Sequence, residues 1–249
     1  MMKDVLGQAI MDYHRGAFEG RLYVHNKYGP KEEMPVTVYF RTIEEMPELE
    51  WVALQECRGR ILDIGAGAGS HALALQQMGQ DVTALEISPL SAGVMRERGV
   101  KQILQQDFFR LGPQGPATDG LVAGDGGVPG DAGTYDTLLL MMNGIGLAGT
   151  LAGLRLFFRH ARSLLRPGGQ LLFDSSDIAY LYKGKAPTTG DYYGEIFYQY
   201  GYRRQRSDWF KWLFIDRVTL GAIATEEGWT TDIICEDDKD QFLARCRRG

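Results

Sequence analysis

The stretch Ile61-Leu62-Asp63-Ile64-Gly65-Ala66-Gly67-Ala68-Gly69-Ser70 decides the fold. It reads as a buried strand that ends in a glycine-rich turn and opens a helix. Glycine lets the backbone turn sharply and approach a ligand with no Cβ in the way. The helix that follows presents unpaired N–H groups and the positive end of its dipole, a favourable setting for a ligand carboxylate. By itself the run does not say which nucleotide-like ligand binds.

Outward from it, short apolar runs alternate with amphipathic helices, the pattern of a parallel sheet with crossover helices. Strands are predicted at 60–64, 81–86, 102–106, 135–142 and 170–174, with helices at 69–79, 89–98 and 150–165. The last helix carries Leu151, Leu154, Phe157, Phe158, Ala161 and Leu165 on one face. Pro167-Gly168-Gly169 is expected to end it and turn the chain into the next strand. Residues 1–57 read as an N-terminal cap of helix, two short extended pieces and a second helix near Pro47. Residues 58–249 then form the α/β domain, a doubly wound sheet.

Two interruptions stand out. Residues 112–133 are about half glycine and proline, a composition that buries too little apolar area to offset its ordering entropy, so a mobile surface insertion is expected. Residues 178–215 are rich in aromatics. Tyr192, Ile196, Tyr198, Tyr200 and Tyr202 alternate along one strand, a second strand covers 208–215, and together they predict an inserted two-stranded antiparallel element. A helix at 216–228 and strands at 229–236 and 240–247 close the chain, the strands separated by Asp237-Asp238-Lys239. The aromatics suit an acceptor pocket wall or a homodimer interface equally well.

Composition excludes several classes. A length of 249 residues, 44% hydrophobic and 24% charged, describes an ordinary soluble globular chain. The net charge of −5 opposes nucleic acid as a partner, because phosphate binding draws on clustered Lys and Arg. The opening Met-Met-Lys-Asp-Val-Leu-Gly-Gln lacks a secretion signal and no segment reads as membrane-spanning, so a cytoplasmic protein is expected. Cys57, Cys235 and Cys246 form no CxxC pair and the four histidines are scattered, so no metal is expected.

A dinucleotide-binding turn calls for glycine where Ser70 stands, whereas here the glycines fall at 65, 67 and 69 behind Asp63. The second predicted strand ends at Glu86, about 20 residues beyond the glycines, where an acid can accept hydrogen bonds from both hydroxyls of a ribose. The competing reading of Glu86 is an acid that merely favours the next helix dipole. Asp107 in Gln105-Gln106-Asp107-Phe108 reads equally as a turn former, and Asn143 as a residue that satisfies local backbone.

From about residue 55 onward the chain resembles the class I S-adenosylmethionine-dependent methyltransferases. With Gly7-Gln8-Ala9-Ile10-Met11-Asp12-Tyr13, Glu45-Met46-Pro47 and Leu172-Phe173-Asp174-Ser175-Ser176-Asp177, it is similar to a group of bacterial members whose acceptors are not known. The resemblance implies a seven-stranded, mostly parallel, Rossmann-like sheet with a reversed final strand, and S-adenosyl-L-methionine as cofactor. It implies that Asp63, Gly65, Ala66, Gly67, Gly69, Ser70 and His71 form the cofactor turn, and that Glu86 and Ile87 meet the ribose end. Asp107 would accept from the adenine amine with Phe108 nearby, while Met142 and Asn143 would line the methionine end.

The implied reaction moves a methyl group to a small-molecule nitrogen, oxygen or carbon nucleophile. Catalytic candidates are thin: Asn143, Asp174 as base or acceptor anchor, and Tyr13 and His14 in the cap. Serine and aspartate after a strand also cap helices. Two other classes share the glycine turn: a nicotinamide-dependent oxidoreductase, and a non-catalytic protein that binds S-adenosylmethionine without turnover.

Overall fold

The computed structural model describes residues 3–112, 115–116, 135–182, 191–238 and 240–249. The expected mobile insertion at 112–133 therefore falls almost entirely outside the described residues, as does Lys239 of the last turn. Six helices are described: α1 (Val5–His14), α2 (Glu48–Glu56), α3 (Ser70–Gln77), α4 (Pro89–Arg98), α5 (Leu151–Leu164) and α6 (Arg217–Glu226).

The strands run β1 (Leu22–Asn26), β2 (Glu32–Glu33), β3 (Arg60–Ile64), β4 (Asp81–Glu86), β5 (Ile103–Gln105), β6 (Leu111–Gly112) and β7 (Gly115–Pro116). They continue with β8 (Tyr135–Leu140), β9 (Leu165–Ser176), β10 (Glu195–Tyr202), β11 (Gln205–Arg206), β12 (Phe210–Leu213), β13 (Trp229–Glu236) and β14 (Gln241–Arg248). Seven of them form one sheet in the order β13-β14-β9-β8-β3-β4-β5. Strands β3, β4, β5, β8 and β9 are parallel, and β14 enters antiparallel between β9 and β13. The reversed last strand follows from a hairpin: the Asp237 N–H donates to the Gln241 carbonyl, and the Gln241 N–H donates to the Asp237 side-chain Oδ1.

Both faces of this sheet are covered, which is why its strands read as near-continuous apolar runs. Side chains alternate between the two faces, as the pleat requires. Leu62, Ile64, Leu138, Leu140, Leu171 and Phe173 pack with Phe157 and Phe158 of α5 and Leu220 of α6. Ile61, Leu139, Met141 and Leu172 pack on the other face with Leu54 of α2, Leu75 of α3 and Met95 of α4. The chain leaves β3 toward β5 on one side and returns to place β8 on the other. The carboxyl ends of β3 and β8 thus flank a point where the winding reverses, the place where such sheets bind ligands.

Two sequence expectations need correction. Strand β9 begins at Leu165, before Pro167-Gly168-Gly169, because buried Leu165 pairs with Tyr135; Pro167 and Gly168 are then exposed at a register shift, and the chain is buried again from Gly169. The aromatic segment, with 183–190 outside the described residues, is not a free-standing pair of strands. Strand β10 pairs with β12 over Glu195–Tyr198 and with β1 of the N-terminal segment over Tyr198–Tyr202. Strands β12 and β11 pair with one edge of β10, and β1 pairs with the other, whose N–H and C=O groups would otherwise stay open. Cap and insertion are therefore one antiparallel sheet, closed by Tyr202, whose hydroxyl donates to Asp12 and accepts from the Glu19 N–H.

Helix α6 is fixed by its first residue. The Asp216 carboxylate accepts from the Val218 and Thr219 N–H groups at 2.9 Å each and from the Tyr192 hydroxyl at 2.6 Å. Asp216→Ala is expected to cost about 1–2 kcal/mol and Asp216→Asn distinctly less, read as shifts in the urea midpoint. An unchanged midpoint in Asp216→Ala would remove this cap from the account of the fold.

A candidate cofactor cleft at the strand tips

The turn after β3 is built from left-handed glycines, with φ of 73° at Gly65, 57° at Gly67 and 83° at Gly69. It is tied to the neighbouring strand: the Gly65 and Ala66 N–H groups both donate to the Leu85 carbonyl, at 2.9 and 3.1 Å. Arg98 of α4 reaches back and donates to the Ala68 carbonyl at 2.6 Å. A Cβ at Gly69 would lie 2.8 Å from Val100 Cγ2, whereas a Cβ at Gly65 would meet nothing within 4 Å. Gly69 thus serves packing, and Gly65 leaves open space above the turn.

Glu86 ends β4. Its Oε2 accepts from the Gly67 N–H and its Oε1 from the Ser88 N–H, both at 2.8 Å. Burial raises its pKa, and these backbone donors pull it back down. With the Ile87 N–H as a further backbone donor, the carboxylate, which has about four acceptor sites, still has capacity left for a ligand hydroxyl. Next to it Ile87 is 59% exposed, an apolar side chain at the rim of the cleft. Asp107 is half-buried past the end of β5, and its Oδ1 accepts from the Phe109 N–H. Phe108 is placed differently from a ligand-facing ring: it is buried, stacked on Phe157 at 4.6 Å, and its carbonyl meets His160.

At the end of β8, Met142 and Asn143 both adopt left-handed conformations, with φ of 62° and 57°. Two consecutive non-glycine residues in that region store strain of the kind found at functional sites. Asp174 holds the turn in place. Both its oxygens accept from the Asn143 N–H, at 2.8 and 2.9 Å, and Oδ2 also accepts from Gln241 at 2.6 Å. Asp174 is fully buried, its pKa pushed up to about 6 by burial, and its oxygens are engaged in fastening the turn and Gln241. Asn143 donates to the Leu213 carbonyl, and its own Oδ1 is buried with no partner.

Asp63 is also turned inward, 2% exposed, with the Ala72 N–H as a donor and its Oδ2 unpartnered. Ser70 donates to the Tyr39 carbonyl at 2.7 Å, and His71 lies beneath the turn against Glu50. The two cap candidates are displaced from the tips. Tyr13 packs on Phe18 and Phe40, and His14 pairs with Glu97 at 3.1 Å. The opposite end of α1 approaches Glu86 instead: Asp4 accepts from Ser88, and at 1.5 Å rise per residue Tyr13 stands about 13 Å further along the helix.

Sequence reasoning missed Tyr39, and it named Tyr200 only among the aromatics that could wall an acceptor pocket. The Tyr39 ring lies 3.2 Å from where a Gly67 Cβ would be, its hydroxyl lies against that of Tyr200, and Glu86 acts electrostatically on both. Burial raises both phenols, Tyr200 to about 12. No local motif announces their meeting, because Tyr39 comes from a 3-10 turn at Val36–Phe40 and Tyr200 from β10, far apart in the chain.

The cleft fits an adenosyl ligand: a carboxylate with spare lone pairs, an open glycine turn at a helix start, and buried unpartnered acceptors at Asp63 and Asn143. Fold and site thus define an open α/β protein of the kind that binds a nucleoside-bearing cofactor across its strand tips. A profile described as a methyltransferase domain matches residues 62–173. A methyltransferase from Bacteroides fragilis, solved with S-adenosyl-L-homocysteine, is 39% identical, with a TM-score of 0.83 over 99% of this chain and 95% of that one.

The chain belongs to the S-adenosylmethionine-dependent methyltransferases, and S-adenosyl-L-methionine is its cofactor. The CcbJ methyltransferase from Streptomyces caelestis, 13% identical, shares the fold, with a TM-score of 0.60 over 84% of this chain and 99% of that one. DhpI, solved with S-adenosylhomocysteine, is 18% identical, with a TM-score of 0.57 over 99% and 98%. No curated protein matches the chain.

Gly65→Ala and Gly69→Ala separate packing from ligand space. Each bears a left-handed strain of about 1 kcal/mol, and Gly69→Ala adds overlap with Val100, so it should lose clearly more stability in urea titrations. In isothermal titration calorimetry, Gly65→Ala should lose the more S-adenosylmethionine affinity per kcal/mol of stability lost. Equal ratios in the two variants would contradict the open space assigned to Gly65.

Proposed function

We propose that this methyltransferase acts on a small molecule enclosed between the strand tips and the second sheet, with a nitrogen, oxygen or carbon nucleophile as the attacking atom. The observation that carries this is the cover over the tips. Leu213 is bonded to Asn143, the Ile215 N–H donates to Ser175, and Tyr39 lies on Gly67, so three contacts bring cap and insertion down onto the cleft. A polyphosphate chain calls for an open basic groove, and a net charge of −5 does not favour one.

When bound, S-adenosylmethionine supplies a methyl group already activated by its sulfonium. In this reading Glu86 grips the ribose diol through the lone pairs that its backbone donors leave free, and Ile87 lies against the base beside Asp107. Met142 and Asn143, held by Asp174, shape the methionine end. Tyr39 and Tyr200, un-ionised at neutral pH, offer hydroxyls to orient an acceptor but are poor proton acceptors. The contribution of the chain is then alignment and exclusion of water, which suit a transfer whose leaving group departs without a proton. The nicotinamide alternative finds no support in the family assignment. A reducing compartment such as the cytoplasm agrees with three free cysteines, and no described helix is long and apolar enough to cross a membrane.

The test is a panel of small amines, alcohols, phenols and activated carbon acids incubated with the protein and S-adenosylmethionine, scored by S-adenosylhomocysteine release. Turnover on at least one small acceptor is expected, and Glu86→Gln should reduce kcat/KM about tenfold or more by weakening a charge-assisted hydrogen bond. Turnover confined to protein or nucleic-acid substrates would refute the small-acceptor reading.

A further inference from the structure

The inner face of the second sheet carries a row of aromatic rings, of which only the Tyr200 hydroxyl has been given a role. Paired residues of antiparallel strands share a face, so the pairing of Tyr198 with Phe210, Ile196 with Trp212 and Val24 with Tyr200 sets Tyr198, Tyr200, Phe210 and Trp212 on one side. All four are half-buried, and the row is fastened to the strand tips at both ends. At one end the Tyr200 hydroxyl lies against that of Tyr39, whose ring rests on Gly67. At the other the Trp212 indole fills the space where a Gly146 Cβ would stand, in the turn that follows Asn143.

The rings do not form a stacking slot. Phe210 meets Tyr198 at 75° with centroids 6.5 Å apart, Trp212 at 79° and 6.2 Å, and Tyr200 at 37° and 5.3 Å. A flat acceptor is gripped between parallel faces, whereas steeply inclined rings turn their faces in several directions, the arrangement that encloses a rounded ammonium head. Charge is sorted to match. Among the described residues, the only charged side chain in register on the inner face is Glu32, opposite Val24, and it acts on Tyr198. His25, Arg206 and Lys211 stand in register on the outer face with Glu33 and Glu195, and the Lys27 ammonium lies there 3.8 Å from the centre of the Phe197 ring. A carboxylate or phosphate on the acceptor would meet ring faces and Glu32, with no cation in register to receive it.

We propose that the acceptor is an amine and that Tyr198, Tyr200, Phe210 and Trp212 form the box that receives its nitrogen-bearing head. The proposal rests on the small-acceptor reading above and narrows its nucleophile to nitrogen. The amine reacts as the free base: its lone pair forms the new N–C bond while the C–S bond breaks and leaves its electron pair on sulfur. Positive charge thereby passes to the nitrogen, and the product ammonium later gives its extra proton to water. Ring faces attract that charge as it develops, so the box favours the transition state as well as the product. The transfer needs no proton acceptor in the box, in keeping with phenols at Tyr39 and Tyr200 that burial holds un-ionised.

Binding can be read without turnover. Choline and 3,3-dimethylbutan-1-ol share one shape and differ in the charge of one atom, so calorimetric titration of each into protein saturated with S-adenosylhomocysteine isolates the cation. Choline is expected to bind about tenfold more tightly. Trp212→Leu and Phe210→Leu should each cut that ratio severalfold, and the wild-type ratio is a measurement independent of how the variants fold. In turnover, amines are expected to release S-adenosylhomocysteine where alcohols of the same skeleton do not, benzylamine against benzyl alcohol being one such pair.

A neutral isostere that binds as well as choline, choline that fails to bind the loaded protein, a ratio unmoved in both variants, or turnover confined to alcohols, phenols or carbon acids would overturn the amine proposal and leave the small-acceptor reading standing. Turnover on no small acceptor of any kind would overturn that reading and the proposal together.

Discussion

The structure depends on one attachment: the turn after β3 is held to the end of β4. The Gly65 and Ala66 N–H groups share the Leu85 carbonyl, and the Gly67 N–H is taken by Glu86. Left-handed glycines cost conformational entropy to fix, and these bonds define one geometry for them. The attachment sets where α3 starts, leaves Gly65 open above the turn, and aims Glu86 along the edge. Its cost is a carboxylate drawn partly out of water, offset by backbone N–H donors.

The same constraint recurs at the second strand pair. Asp174 of β9 holds the strained Met142–Asn143 turn after β8 just as Glu86 holds the glycine turn after β3. A carboxylate on one strand thus immobilises the loop of its neighbour at both places. Asp63 breaks the pattern, since it ends with an acceptor atom that no residue satisfies. Rigid, fastened turns suit a largely preformed ligand pocket.

The first sheet was legible in the sequence because its strands are buried on both faces and separated by amphipathic helices. Leu154, Phe157, Phe158 and Ala161 announce α5 by spacing alone, and all four are buried. Glu86 was legible for a similar reason, a fixed distance from a glycine turn. Phe108 misled because its position after Asp107 is a family feature, while its ring is consumed by packing on Phe157. Asp174 misled because a serine- and aspartate-rich strand end looks the same whether it faces solvent or fastens a neighbour. Glu50 was visible in principle: it lies at helical spacing from Ala53 and Leu54 on the buried face of α2. Tyr39 had no such signal, because it lies in an irregular 3-10 turn, and its meeting with Tyr200 joins residues far apart in the chain.

The pairing of β1 with β10 orders events during synthesis. Leu22–Asn26 finds its partner at Tyr198–Tyr202, so this early segment cannot reach its native place until the chain has been made through Tyr202. The chain must carry Tyr23, Val24 and their neighbours exposed while the central sheet is still assembling, and a closure that long is slow. The layer that encloses the cleft thus closes a far longer loop than any β-α-β step beneath it, and it can be completed only after the strands whose tips it covers, β3, β4, β5 and β8, have been made.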